Sequence, residues 1–292
     1  MNKKHIFGGL TLFVLGLVLV AVHYFHDHTV AVLSPQGPVA QHEKSLIITA
    51  LLLSLIIVIP VFTLTFIIAW RYRIGNTKAT YSPDFDRNRV IETIWWLVPS
   101  VLILIISAMD WSSSHQLDPY KALVSTKKPL TIQVVALDWK WLFIYPRQDI
   151  ASVNYVQFPA RTPVNFQITS DATMNSFWIP RLGGQIYAMT GMSTELHLMA
   201  SDTGSFRGSS ANISGAGFAG MKFTAKATSD TDFSRWVAST QHSSRSLSLE
   251  AYNALAKPSQ NNAVAYYSSG KRNLYNLIVS KYMVPGVGAE IQ

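Results

Sequence analysis

LIITALLLSLIIVIPVFTLTFIIAW, residues Leu46 to Trp70, carries no charged side chain. A helix needs about 20 apolar residues to cross the hydrocarbon core of a bilayer, so this run predicts a transmembrane helix. Pro60 is compatible with it, because neighbouring groups can compensate for the backbone hydrogen bond it removes. A second span is predicted from about Val90 to Met109, with Glu92 inside its first turn and Trp95 and Trp96 at interfacial depth. Trp111 closes its far end, in keeping with an aromatic belt.

N-terminal to these spans lies a third apolar block, Ile6 to Val22, preceded by Lys3 and Lys4. It resembles a signal peptide at its start, yet no small-residue cleavage site follows it. The block runs instead into His23-Tyr24-Phe25-His26-Asp27-His28. The expectation is a retained anchor rather than a cleaved signal, with the histidines read as a polar flank rather than a metal site. Arg71, Arg73, Lys78, Arg87 and Arg89 crowd the loop between the two long spans. An excess of positive charge marks cytoplasmic loops, so everything beyond Trp111 is expected on the opposite side of the membrane.

Composition agrees with a membrane protein: 49% of residues are hydrophobic and only 14% charged. The net charge of +8 does not imply nucleic-acid binding. Beyond Trp111, 16 Lys and Arg face 10 Asp and Glu, spread through the sequence rather than gathered into a basic stripe. The chain has no cysteine, which excludes disulfides, thiolate metal ligands and lipid attachment through a thiol.

Beyond Pro119 the texture changes to short runs punctuated by Pro, Gly, Asn and Asp. Leu130–Ala136, Trp141–Tyr145, Val153–Phe158, Pro163–Thr169, Ser176–Pro180, Thr194–Met199 and Met221–Ala227 read as strands. Strands at this spacing predict an antiparallel sandwich or barrel. From Asp230 onward the apolar spacing turns helical, through Phe233, Trp236 and Val237, then Leu249, Tyr252 and Leu255, then Leu274, Leu277 and Ile278, with a break at Lys257-Pro258-Ser259. The predicted fold class is an α+β membrane protein. Its parts are an N-terminal anchor or signal (1–28), a transmembrane hairpin (29–111), an outer β domain (112–228) and an aromatic-rich helical C-terminal extension (229–292).

Little in the chain reads as catalytic. No G-x-S-x-G elbow is present, and His197 in an alternating strand is expected to face solvent. Gly215-Ala216-Gly217-Phe218-Ala219-Gly220 matches the dinucleotide fingerprint, but a strand-like segment rather than a helix follows, so the match carries no nucleotide function. The aromatic residues of Asp138–Tyr145 read as core and interface anchors rather than electron carriers.

Four ordered blocks carry a family resemblance. Val90 to Pro99 (VIETIWWLVP) is similar to the second span of haem–copper oxidase subunit II. Leu137 to Tyr145 (LDWKWLFIY) resembles the aromatic segment that opens that family's cupredoxin domain. Met174 to Pro180 and Gly204 to Met221 complete the series in order. The resemblance covers nearly the whole chain from Leu33, and the Trp-Lys-Trp wording and aromatic tail are similar to the bo-type ubiquinol oxidases.

In copper-bearing members of that family, the resemblance places a histidine on an early strand and a loop C-x-E-x-C-x-x-x-H-x-x-M around a dinuclear copper centre. Laid on Gly208 to Met221, the loop keeps its length and loses its donors. Ser210 and Ser214 stand at the two cysteine positions, Asn212 at the glutamate and Phe218 at the histidine. Asn175 stands at the other histidine, and only Met221 is retained. Thiolates select copper in such sites and a neutral hydroxyl is a poor substitute.

The resemblance therefore implies a copper-free subunit II, with no catalytic residue and no cofactor in this chain. The haem groups and copper would belong to subunit I of a complex that oxidises ubiquinol, reduces oxygen to water and moves protons. Its expected partners are subunit I, small membrane subunits and lipids of a bacterial inner membrane, with the outer domain in the periplasm and no docking of cytochrome c. Glu92 is expected near the cytoplasmic mouth of a proton path into subunit I. A carboxylate in the first turn of a membrane helix is otherwise expensive, although a helix N-terminus also stabilises it. The rival readings are a copper-bearing cytochrome c oxidase subunit, opposed by the missing cysteines, and a membrane-tethered binding or assembly protein without an oxidase partner.

Overall fold

A computed structural model describes residues 30–80, 88–268 and 273–283, together with Gly16 and Val20. The apolar block Ile6–Val22 as a span, His23 to His28, and Arg87 lie outside the described residues. The chain divides into two compact units, residues 42–121 and the remainder.

Among the described residues two helices are long and apolar enough to cross a membrane, α1 (Pro38–Arg71) and α2 (Arg89–Gln116), with mean hydropathies of 2.9 and 2.1 in their most apolar windows. At 1.5 Å per residue the 34 residues of α1 run about 51 Å, well beyond the predicted span, because the helix starts at Pro38 rather than near Leu46. Proline suits a first helical position, where its missing N–H is not needed. The segment entering α1 is held by backbone bonds: the Gln36 N–H donates to the Arg181 carbonyl at 2.7 Å and the Ser201 N–H to the Gln36 carbonyl at 2.8 Å. At Gly37 a Cβ would stand 2.3 Å from the Met199 carbonyl oxygen, so only glycine fits. Asn88 caps α2 by accepting from the Val90 and Ile91 N–H groups, both at 3.1 Å.

The β domain is a two-sheet sandwich. Its strands are β1 (Leu130–Leu137), β2 (Lys140–Tyr145), β3 (Ile150–Val153), β4 (Tyr155–Pro159), β5 (Val164–Ser170), β6 (Asn175–Trp178), β7 (Gln185–Ala188), β8 (Thr194–Leu198), β9 (Gly204–Ser210), β10 (Lys222–Thr228) and β11 (Ala265–Tyr267). One sheet has the order β11-β3-β2-β1-β5-β8 and the other β4-β10-β9-β6-β7. Most pairings are antiparallel. Two are parallel, β1 with β5 and β4 with β10, where the chain crosses between sheets before returning.

The run Val153–Phe158, expected as one strand, splits at Asn154, whose φ is 55°. Asparagine tolerates this left-handed conformation better than most residues. Here its side chain accepts from the Trp141 N–H and donates to the Asn262 carbonyl, both at 2.9 Å. The break sends β3 into one sheet and β4 into the other.

Between the sheets, Trp141, Phe143, Phe166, Phe177 and Phe223 form an aromatic core, with Phe177 and Phe223 stacked at 5.1 Å. The C-terminal extension supplies α3 (Asp230–Gln241), α4 (Leu249–Ala256) and α5 (Leu274–Ser280). Phe233 of α3 closes the main core, while Leu247, Tyr252, Leu274, Tyr275 and Ile278 build a second core on the outer face of the six-stranded sheet. Their partners there are Val135, Leu137, Leu142, Ile144 and Val153. Consequently β2 is buried at every position. His197 is a correction to the sequence reading: it is only 8% exposed, because β8 is buried at four of its five positions and offers it no solvent face.

Candidate functional site

Ser210 ends β9 and Asn175 begins β6, and the antiparallel pairing of these strands brings their side chains together. The Ser210 hydroxyl donates to Asn175 Oδ1 at 3.0 Å, and Asn175 Nδ2 donates to the Thr173 carbonyl at 2.6 Å. Asn212 turns away to donate from Nδ2 to the Met174 carbonyl at 2.9 Å. Phe218 lies half-buried in a short 3-10 turn, Phe218–Gly220, and Met221 is fully buried below it. Met221 also accepts the Ser210 N–H through its backbone oxygen at 3.2 Å.

Asn175, Ser210, Asn212 and Met221 thus sit around one end of the sandwich, but their polar groups bond to one another or to the backbone. The Ser214 hydroxyl is buried without a hydrogen-bond partner. Among the described residues no three of His, Cys, Asp or Glu gather in one place. The donor set of hydroxyls, amides and one thioether does not fit a dinuclear copper centre, and no electron transfer through such a centre follows from it. The fingerprint-like glycines of 215–220 run between β9 and β10, so the strand–turn–helix context of a nucleotide site is absent there.

Sequence reading missed what holds this loop. Trp139 occupies the two-residue turn between β1 and β2 with a φ of 62°, a rare conformation for a bulky residue. Its indole covers Gly217, where a Cβ would lie 2.3 Å from the ring, and donates to the Ser214 carbonyl at 3.2 Å. Beside it Lys140 is 1% exposed, with its ammonium donating to the Lys257 carbonyl at 2.7 Å and to the Ser259 hydroxyl. Burial lowers the Lys140 pKa, and the nearby Asp138 carboxylate opposes that shift.

Asp171 was missed as well. Its side chain, 2% exposed, accepts from Lys281 Nζ at 3.0 Å, from the Tyr282 hydroxyl at 2.6 Å and from the Tyr252 hydroxyl. Burial, then the Asp171 charge, raises the Tyr252 pKa far above its ordinary value. All three donors belong to the C-terminal extension, and nothing local around Asp171 in the sequence signals that convergence.

In the other unit, Glu92 is exposed in the first turn of α2. It shares one helix face with Arg89, Thr93, Trp96, Leu97 and Ser100, which line an open groove. The Thr93 and Ser100 hydroxyls are spent on the Arg89 and Trp96 carbonyls at 2.8 and 2.7 Å.

Comparison with known proteins places these features in one family. Residues 146–228 match the family model for the periplasmic domain of cytochrome c oxidase subunit II, and residues 241–286 match the COX aromatic-rich motif. The chain is 54% identical over 250 residues to a cytochrome bo(3) ubiquinol oxidase subunit 2 of Pseudomonas putida, covering 86% of this chain and 80% of that one. It is 49% identical over 253 residues to a ubiquinol oxidase subunit 2 of Acetobacter aceti, covering 86% and 82%. A quinol oxidase subunit 2 of Bacillus subtilis is 35% identical over 260 residues, covering 88% and 81%. Identity at this level, across the hairpin, the sandwich and the aromatic extension together, assigns the chain to the subunit 2 family of bo(3)-type ubiquinol oxidases, as a membrane-anchored protein with a periplasmic domain.

Proposed function

We propose that this chain is the copper-free subunit II of a complex that oxidises ubiquinol, reduces oxygen to water and stores the energy as a proton gradient in a bacterial inner membrane. The observation that carries the reading is the ligand loop itself. Ser210 and Asn175 are bonded to each other where a metal centre would need thiolate and imidazole, so electrons must enter the complex elsewhere. The chain's own role is non-catalytic: it anchors a periplasmic domain over subunit I, which carries the haem groups and copper. Small membrane subunits and lipids complete its surroundings. Cytochrome c is not a partner in this reading, which is supported by the net positive charge of the outer domain, since a basic carrier favours an acidic docking surface.

Affinity purification of the native chain from aerobically grown cells tests the proposal. A haem-carrying complex with ubiquinol-dependent oxygen uptake is expected. A haem-free chain that purifies alone would overturn it in favour of a membrane-tethered binding or assembly protein.

Glu92 is proposed to stand at the cytoplasmic entrance of a proton path shared with subunit I. What supports this is its place in the first turn of an apolar helix that begins at a cluster of arginines, on a groove-forming face. Glu92→Gln is expected to slow quinol-driven oxygen uptake severalfold per haem while haem content stays normal. Glu92→Asp should be milder, because it keeps the acid and only shortens its reach. Wild-type turnover in the Gln variant would reduce Glu92 to a helix-end charge, and loss of the assembled complex would make its role structural.

A further inference from the structure

Residues 211–221 form a loop without a charged side chain, with three glycines and three alanines. Its only regular structure is the turn Phe218–Gly220. A stretch of this composition has much backbone freedom to lose on ordering. Its side-chain hydrogen bonds gather at one end, around Asn175, Ser210 and Asn212. The other half is bonded within itself, from the Phe218, Gly220 and Met221 N–H groups to the Gly215, Gly217 and Phe218 carbonyls. Gly215, with a φ of 113°, and Gly217 lie in its middle, and the side-chain atoms nearest to both belong to Trp139. At the far end, a Cβ on Gly220 would stand 2.8 Å from Asn261 Oδ1.

Both of those outer restraints lead to the same six residues of the C-terminal extension. Lys257 and Ser259 accept the buried ammonium of Lys140, which adjoins Trp139 in the β1–β2 turn. Asn262 accepts from Asn154, whose other side-chain atom holds the Trp141 N–H. Asn261 itself bears on Gly220, and it takes a φ of 54° to do so. Ser259 and Asn262 bond to each other, Ser259 Oγ to Asn262 Oδ1 at 3.0 Å and Asn262 Nδ2 to the Ser259 carbonyl at 2.9 Å, which stiffens the segment.

We propose that the segment Lys257–Asn262 is a clamp: it fixes the Trp139 turn through Lys140 and presses on Gly220 through Asn261, and so holds loop 211–221 in its folded shape. This gives the aromatic-rich extension a function beyond covering a sheet, as the positioning element of the loop at the vestigial site. Lys140 and Asn261 are then positioning residues that act on the loop from outside it.

Hydrogen–deuterium exchange of the full-length chain, read by mass spectrometry on peptides covering 208–223, tests the clamp. Asn261→Gly removes only the side chain that bears on Gly220, and glycine accepts the φ of 54°, so this variant folds without added strain. Lys140→Met removes the ammonium and keeps the apolar stem. In both variants the amides of 211–221 are expected to exchange at least tenfold faster than in the unaltered chain, while amides of β5 and β8 keep their rates. Unchanged exchange in 211–221 in either variant overturns the proposal. So does acceleration spread evenly over the sandwich strands, because that reports general loosening rather than release of one loop.

Discussion

Asp171→Ala is expected to free the C-terminal extension from the sandwich. One buried carboxylate receives three donors that are distant from it in sequence, Tyr252, Lys281 and Tyr282. Removing one partner of a buried ion pair costs about 3–5 kcal/mol where the other charge stays buried. Lys281 remains 20% exposed and can recover some solvent, so the lower end of that range applies, about 3 kcal/mol. Tyr252, which is fully buried, has no substitute acceptor for its hydroxyl. The measurement is limited proteolysis with mass analysis, alongside thermal unfolding. Rapid cleavage between residues 241 and 283 and a lowered unfolding temperature are expected, with the strands of 130–228 still protected. Tyr282→Phe should do much less, since it removes one hydrogen bond and leaves the ion pair intact. Equal resistance to protease in Asp171→Ala and the unaltered chain would mean that the apolar contacts of Leu247, Leu274 and Ile278 hold the extension without the clasp.

Restoring the missing ligands is expected to create a copper site where the unaltered chain has none. The combined substitutions Asn175→His, Ser210→Cys, Asn212→Glu, Ser214→Cys and Phe218→His rebuild the donor set on a loop of unchanged length. Asn175 and Ser210 already face each other at 3.0 Å, and Met221 is already buried beneath the loop. Thiolate and imidazole donors then replace a mutually satisfied hydroxyl and amide, and soft donors of that kind hold copper. Metal analysis should find copper retained through dialysis, with thiolate-to-copper charge-transfer absorption, in the five-fold variant alone. Stoichiometric copper in the unaltered chain would refute the assignment of these positions as vestigial. Failure of the variant to retain copper, while still folded, would show that the loop no longer aims its side chains at a common point.

Much of this architecture was legible in the chain because its signals are local. An uncharged run at Leu46–Trp70 and the arginines at its end announce a membrane helix through composition alone, and the strand end at Tyr145 follows from the turn residues after it. The misses share one physical cause, which is contact between segments far apart in sequence. β9 is Gly-Ser-Phe-Arg-Gly-Ser-Ser, a polar stretch with poor strand propensity that β6 and β10 pair into a sheet. β11 is three residues long and exists because β3 lies beside it. His197 was assigned to solvent from alternation, a rule that fails on a strand buried on both faces.

The ligand positions divide in the same way. The family resemblance marked Asn175, Ser210, Asn212, Ser214, Phe218 and Met221 as positions to inspect, and in the structure Asn175 and Ser210 are hydrogen-bonded to each other while Met221 is buried. Trp139 gave a partial signal, as an aromatic residue inside a tight turn between two strand-like runs. Asp171 gave none, because its three donors lie more than eighty residues away along the chain.

The doubly covered β2 strand has a consequence for how the protein is made. Leu142 and Ile144 need Tyr252, Leu274 and Ile278 to shield them, yet the chain is synthesised in order. About 136 residues separate Leu142 from Ile278, so at about 5–20 residues per second the inner strands emerge roughly 7–27 s before their lid. Throughout that interval a flat apolar sheet face is open to pairing with other chains, the kind of surface that aggregates. A fragment that stops near Thr228 would carry that exposure permanently. The sheet face is closed only once the residues around Tyr252, Leu274 and Ile278 have arrived and packed against it.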